Sequence, residues 1–233
     1  MPPPSRHVRL DEALQLSGCP VCRMVLQRVE QSMESISYEL VMDPAFRETV
    51  DASWGFCGVH AQQWLQHAPP LGTAIVYEAV LGRIARQLER QSSGHSGIGN
   101  LRSKLGSSRG SSVLVPEGVC PLCTVQTEQE SLIVGHLLDE LRGDTFRLRY
   151  AASDGLCVVH VHIALSARPD PLAYEALRDR LLASHRTLQE QLREIIRKHD
   201  YRHQHEPVGD ELGAPERAVR QVAGQPGLIR KTE

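Results

Sequence analysis

The sequence predicts an all-α fold built from an internally duplicated helical unit, and three observations carry that expectation. Apolar residues recur at helical intervals, as in Val21, Val25, Val29 and Met33. Leucine, alanine, glutamate, glutamine and arginine are frequent while aromatic residues make up only 4%, a balance that favours helices over sheets. The third observation is a motif that occurs twice. Cys19-Pro20-Val21-Cys22 is followed after 34 residues by Cys57-Gly58-Val59-His60, and Cys120-Pro121-Leu122-Cys123 is followed after 33 by Cys157-Val158-Val159-His160. Together the two copies use all six cysteines.

The likeness of the copies extends beyond these residues. Phe46-Arg47, Ala52-Ser53 and Gly55 recur as Phe146-Arg147, Ala152-Ser153 and Gly155 at a constant offset of 100, and Tyr77-Glu78-Ala79 has a counterpart in Tyr174-Glu175-Ala176. Such self-similarity marks a repeated supersecondary unit. It divides the chain into a leader (1–18), a first metal-binding repeat (19–92), a flexible linker (93–118), a second repeat with a long closing helix (119–206) and a C-terminal extension (207–233).

The elements follow in order. Pro2 to Pro4 begin a loose leader, Leu10 to Leu16 can form a short helical turn, and Ser17-Gly18 break it. Pro20 suits the first turn of a helix that runs to about Met42. Asp43-Pro44 end it and start a shorter helix through Val50. A helix follows from about Val59 to His67, and after Pro69-Pro70 a longer amphipathic one spans Leu71 to Arg90 with Ile75, Val76, Val80, Ile84 and Leu88 inward. Residues 92–118, rich in Ser and Gly, read as the linker, with a helical turn at Leu101 to Leu105. Gly106 to Gly110 lack the spacing and the Lys-Ser/Thr of a phosphate loop. The second copy then repeats the first, with helices from Cys120 to about Leu141 and over Phe146 to Ala152. The closing helix starts after Pro171 and passes Ile196, and a short helix spans Pro215 to Val222. Tyr38, Tyr77, Tyr174, Phe46 and Phe146 are expected in the core; Asp154 stands where the first copy has Trp54.

Three thiolates and one imidazole are the ligand set of a closed tetrahedral Zn²⁺ site. A Cys-x-x-Cys pair reaches one ion from a single turn, and a distant Cys-x-x-His pair completes the shell when the chain folds back. The order of the motifs predicts one site within each copy: Cys19, Cys22, Cys57 and His60 in the first, Cys120, Cys123, Cys157 and His160 in the second. Two Zn²⁺ ions are expected. An iron-sulfur cluster is the alternative, because thiolates also suit iron, and it would imply electron transfer or redox sensing. A pair of thioredoxin-like dithiols leaves Cys57, His60, Cys157 and His160 unexplained.

Outside the motifs, the densest chemistry is Lys198-His199-Asp200-Tyr201-Arg202. His199 and His203 share a helix face, and with Glu206 they offer a third metal site; His199, Asp200, Tyr201 and Arg202 are the catalytic candidates of an enzymatic reading, with His moving a proton and Arg holding an anion. The plainer account is a polar helix end whose basic residues complement the dipole. His67, His136, His162 and His185 fit surface or packing roles.

The paired Cys-Pro-x-Cys and Gly-x-Cys-x-x-His elements, at 19–22, 55–60, 120–123 and 155–160, with Lys198 to Arg202 near the end, resemble an uncharacterised bacterial family, a domain of unknown function. The resemblance covers the chain to about Pro207 and implies a role for the terminal stretch.

A net charge of −2 and a pI near 6.6 provide no general basic field for nucleic acid, and Glu175, Asp179, Glu190 and Glu194 interrupt the arginines of the closing helix. No run of 18 apolar residues suggests a membrane span. The expectation is a cytoplasmic metal-binding protein, with an inter-repeat surface or cleft for a protein or small ligand.

Overall fold

The computed structural model describes residues 6–93, 115–203 and 205–229. Among them it contains helices and no strands. They are α1 (Arg6–Leu14), α2 (Pro20–Ser35), α3 (Pro44–Ala52), α4 (Gly58–His67), α5 (Pro70–Ser93), α6 (Pro121–Glu140), α7 (Asp144–Ala152), α8 (Val158–Ser166), α9 (Pro171–Lys198) and α10 (Ala214–Ala223). The helix expected over 10–16 starts earlier, at Arg6, and ends at Leu14. The turn expected at 101–105 lies outside the described residues, as does most of the linker.

Local chemistry accounts for the helix boundaries. Asp43 accepts a hydrogen bond from the Phe46 amide at 2.8 Å and Pro44 follows it, which closes the start of α3. Asp170 does the same for α9, accepting from the amides of Leu172 and Ala173 at 3.0 Å ahead of Pro171. At its end α2 widens into a π turn over Ile36–Leu40, where the Val41 amide reaches the Ile36 carbonyl at 2.9 Å. No described helix is long and apolar enough to cross a membrane.

The chain forms two compact units, residues 1–28 with 126–233 and residues 29–125, whose boundaries fall within α2 and α6. The first has a core that includes Leu10, Val21, Val25, Leu137, Leu141, Phe146, Tyr150 and Leu177, all buried. In the second, Val41, Val50, Val76 and Val80 form a cluster against which Phe46, Trp54, Ile75, Tyr77 and Ile84 pack. Phe56 and Trp64 lie with ring centroids 4.8 Å apart. Tyr38, Tyr174 and Leu88 depart from the expected core: all three are exposed, Tyr38 to 81%. Tyr38 sits in the π turn, which rotates side chains off the register of the preceding helix.

Candidate metal centres

Each ligand pair lies at the start of a helix. Cys19 and Cys120 immediately precede α2 and α6, while Cys57 and Cys157 are the N-caps of α4 and α8. The fourth member of each tetrapeptide, Cys22, Cys123, His60 or His160, is then one turn in, on the side of its partner. Cys57 and Cys157 share the same extended conformation, φ −65° and ψ 166° against φ −68° and ψ 161°. Two residues earlier, Gly55 and Gly155 have φ of +88° and +73°, a region that glycine enters without strain. A Cβ at Gly155 would also stand 2.6 Å from Cγ of Arg180.

The eight residues converge in two groups, but not within the copies. Cys19, Cys22, Cys157 and His160 form one centre, and Cys57, His60, Cys120 and Cys123 form the other. The expected pairing of Cys19 and Cys22 with Cys57 and His60, and of Cys120 and Cys123 with Cys157 and His160, is thereby corrected. Each Cys-x-x-Cys pair meets the Cys-x-x-His pair of the other copy. The second centre is nested in sequence between the two halves of the first.

Contacts ahead of the ligands supply the physical reason. In the first unit, Asp154 Oδ2 accepts from the Gly18 amide at 2.6 Å and from Ser17 Oγ at 3.2 Å, so the loop leading to Cys19 is bonded to the loop leading to Cys157. In the second, the amides of Glu117 and Gly118 both donate to the Ala52 carbonyl at 2.9 Å, which joins the approaches to Cys120 and Cys57. A Cβ at Gly118 would lie 3.2 Å from the Ala52 carbonyl carbon and the Ser53 nitrogen. A glycine at 118 lets the two backbones approach this closely without crowding.

The candidate ligand atoms crowd together in both groups. In the first centre, the Cys22 and Cys157 sulfurs are 3.6 Å apart, and His160 Nδ1 lies 3.5, 3.4 and 3.2 Å from Sγ of Cys19, Cys22 and Cys157. In the second, Cys57 and Cys123 are 3.6 Å apart, and His60 Nδ1 lies 3.4, 3.7 and 3.5 Å from Cys57, Cys120 and Cys123. In both, Nδ1 is the imidazole nitrogen that faces the sulfurs.

The surroundings differ between the centres. All four ligands of the first are buried, whereas Cys57 and Cys123 of the second are partly exposed. Behind His160, the Glu130 carboxylate stands 3.7 Å from Nε2 and accepts from Gln126 Nε2 at 2.8 Å. A carboxylate on the far side of a ligating imidazole orients the ring and raises its basicity. Nε2 is buried without a hydrogen bond in both His60 and His160, and among the described residues His160 alone of the two has a carboxylate within 4.0 Å of it. Over the first centre lies Gly224, where a Cβ would be 3.6 Å from the Cys22 sulfur.

Proton occupancy follows from the same burial. In the second centre, burial raises the pKa of the Cys120 and Cys123 thiols and lowers that of His60. In the first, burial holds the Cys19 thiol well above its ordinary value, and hydrogen bonds from Cys19 and Cys22 draw Cys157 far down. Burial opposes the charge on His160, but its bonds to the Cys157 and Cys22 sulfurs and the nearby Glu130 prevail and push it up to about 11. Without metal at neutral pH, Cys19 and His160 thus hold protons in one centre and Cys120 and Cys123 in the other. A metal must displace these protons, so affinity rises with pH and is lost as pH falls. Each displaced proton contributes about one decade of affinity per pH unit. Competition titrations with a zinc indicator between pH 6 and 8 are expected to show the affinity of each centre rising steeply with pH; a flat profile would contradict it.

The Lys198–Arg202 stretch takes a different role from the centres. Lys198 Nζ donates to the Pro207 carbonyl and to Glu211 Oε1, both at 2.7 Å, and so fastens the turn that follows α9. Arg202 and Asp200 pair with each other at 2.6 Å, Arg197 pairs with Glu194 and Glu206, and His203 meets Glu206 at 2.9 Å. His199 and Tyr201 are exposed. Among the described residues, His199, His203 and Glu206 do not join a convergent ligand group.

Sequence reasoning missed Glu130, Gln126 and Asp154. The first two had a readable signal, being polar residues four apart on one face of α6 at otherwise apolar positions; both are buried. Asp154 was visible only as the replacement for Trp54.

Residues 7–227 match the family of unknown function DUF6062. No curated protein and no solved structure matches the chain.

Proposed function

The chain belongs to DUF6062, and from that membership, which names no reaction, we propose that it is a helical binding protein whose two units are each braced by a Zn²⁺ ion. One observation carries the reading: in each centre all four ligand atoms lie within 4.8 Å of one another. A zinc ion with bonds of about 2.3 Å to sulfur and about 2.0 Å to nitrogen requires tetrahedral edges of about 3.5–3.8 Å, close to the 3.2–3.7 Å of the nitrogen–sulfur edges and of the Cys22–Cys157 and Cys57–Cys123 sulfur edges. An iron-sulfur cluster distributes its ligands over two or more irons and needs a wider set.

Four protein ligands leave no position for water or substrate, so the ions stabilise the fold and do not catalyse. His160 and His60 bind through Nδ1, and the thiolates gain from the four helix N-termini that present them. The function then belongs to the surfaces that the braced helices carry, for a protein or a small molecule. Elemental analysis of protein purified without oxygen is expected to give two zinc equivalents per chain and no visible absorption. Iron with sulfide and a charge-transfer band would overturn the assignment in favour of a redox protein.

A further inference from the structure

A cavity of about 400 Å³ opens beside the first centre, with Cys19 on its wall. It lies between the loop at Ser17-Gly18, the middle of α9 and the face of α10, and it is the turn fastened by Lys198 that brings α10 back to close it. Its volume is that of a site for a small molecule, and its lining is about evenly polar and apolar.

Three arginines line this cavity: Arg180 from α9, and Arg217 and Arg220 from α10. Arg220 is neutralised by Glu216. Among the described residues, neither of the other two is paired with a carboxylate. Arg217 donates to the side-chain carbonyl of Gln191 and the backbone carbonyl of Asp210, each at 2.9 Å. Arg180 makes one long bond, 3.3 Å, to the Ala151 carbonyl, and its Nε is buried with no partner. A buried guanidinium donor without an acceptor is costly. Of the two acids on the wall, Asp154 is already engaged by Ser17 and Gly18, which leaves Asp210.

We propose that this cavity binds a small oxyanion, a phosphate or carboxylate group of a compact ligand, between Arg180 and Arg217. Guanidinium groups are suited to both chemistries through paired N–H donors, and Ser184 on the same wall adds a hydroxyl. The proposal deepens the reading of the chain as a metal-braced binding protein by naming the ligand class, and it rests on that reading only for the integrity of the unit.

The test is isothermal titration of the full, metal-loaded chain with inorganic phosphate and, separately, with succinate, at constant ionic strength. Saturable binding of one anion at one site per chain is expected, with phosphate alone identifying a phosphate-bearing ligand and succinate alone a carboxylate. Arg180→Gln and Arg217→Gln should each weaken binding about tenfold or more, the scale of a lost charge-assisted contact, while Arg178→Gln, at the surface pair with Asp179, should not. Metal content measured on the same samples separates the two claims. Two retained equivalents with no saturable binding of either anion, or binding that neither cavity variant weakens, would overturn the anion site and leave the braced fold standing. Ser184→Ala provides a milder variant if Arg217→Gln fails to fold, and its expected effect is a smaller weakening of the same anion.

Discussion

Removing the metal with a strong chelator is expected to abolish the cooperative thermal transition of this chain, with most of its far-ultraviolet helical signal lost and recovered on adding zinc back. The magnitudes decide the size of the effect. A structural zinc shell contributes about 10–16 kcal/mol of apparent binding energy at neutral pH, while a whole domain of ordinary size is stable by about 5–15 kcal/mol. Loss of either ion therefore removes an amount comparable to the entire stability of the unit that holds it. Circular dichroism before and after chelation measures this directly. An unchanged melting temperature in metal-free protein would mean that the helices hold together without their braces.

The nested pairing has a further consequence for how the two centres assemble. Ligands of the second centre are 60–66 residues apart and those of the first 135–141, about one doubling of loop length. A doubling costs only about 0.6 kcal/mol in closure entropy, a small part of what an ion contributes. Affinity differences between the centres thus come from their surroundings. Glu130 behind His160 and complete burial favour retention by the first centre, and the partly exposed Cys57 and Cys123 make the second the one open to exchange.

The same small closure cost explains why the ligands were legible in the sequence while their pairing was not. Spacings of 34 and 33 residues allow each Cys-x-x-Cys to reach either Cys-x-x-His, and sequence proximity favours the wrong choice only weakly. What selects the partner is contact between ordinary loop residues: Gly18 with Asp154, and Gly118 with Ala52. Nothing in the identity of Ala52 announces that its carbonyl accepts two amides. The helices were readable because their signals are local. Pro20, Pro44, Pro121 and Pro171 each fall in a first turn as their chemistry dictates, and the ends of α4, α6 and α9 lie within a few residues of where the apolar period stops. Tyr38 was misplaced because a π turn breaks that period, and the tie made by Lys198 was not readable because a basic residue at a helix end gives no hint of the carbonyl and carboxylate that it reaches 9 and 13 positions later.

Metal stoichiometry in paired substitutions tests the cross-paired centres most directly. Cys22→Ser with Cys157→Ser removes two ligands of one centre and leaves the second complete, so the full-length double variant should retain one equivalent of metal. Cys22→Ser with Cys57→Ser damages both centres and should retain none with a full ligand set. If each copy instead held its own ion, these outcomes would exchange: the Cys22/Cys57 variant would keep one equivalent, and the Cys22/Cys157 variant would lose both. That reversal would contradict the account.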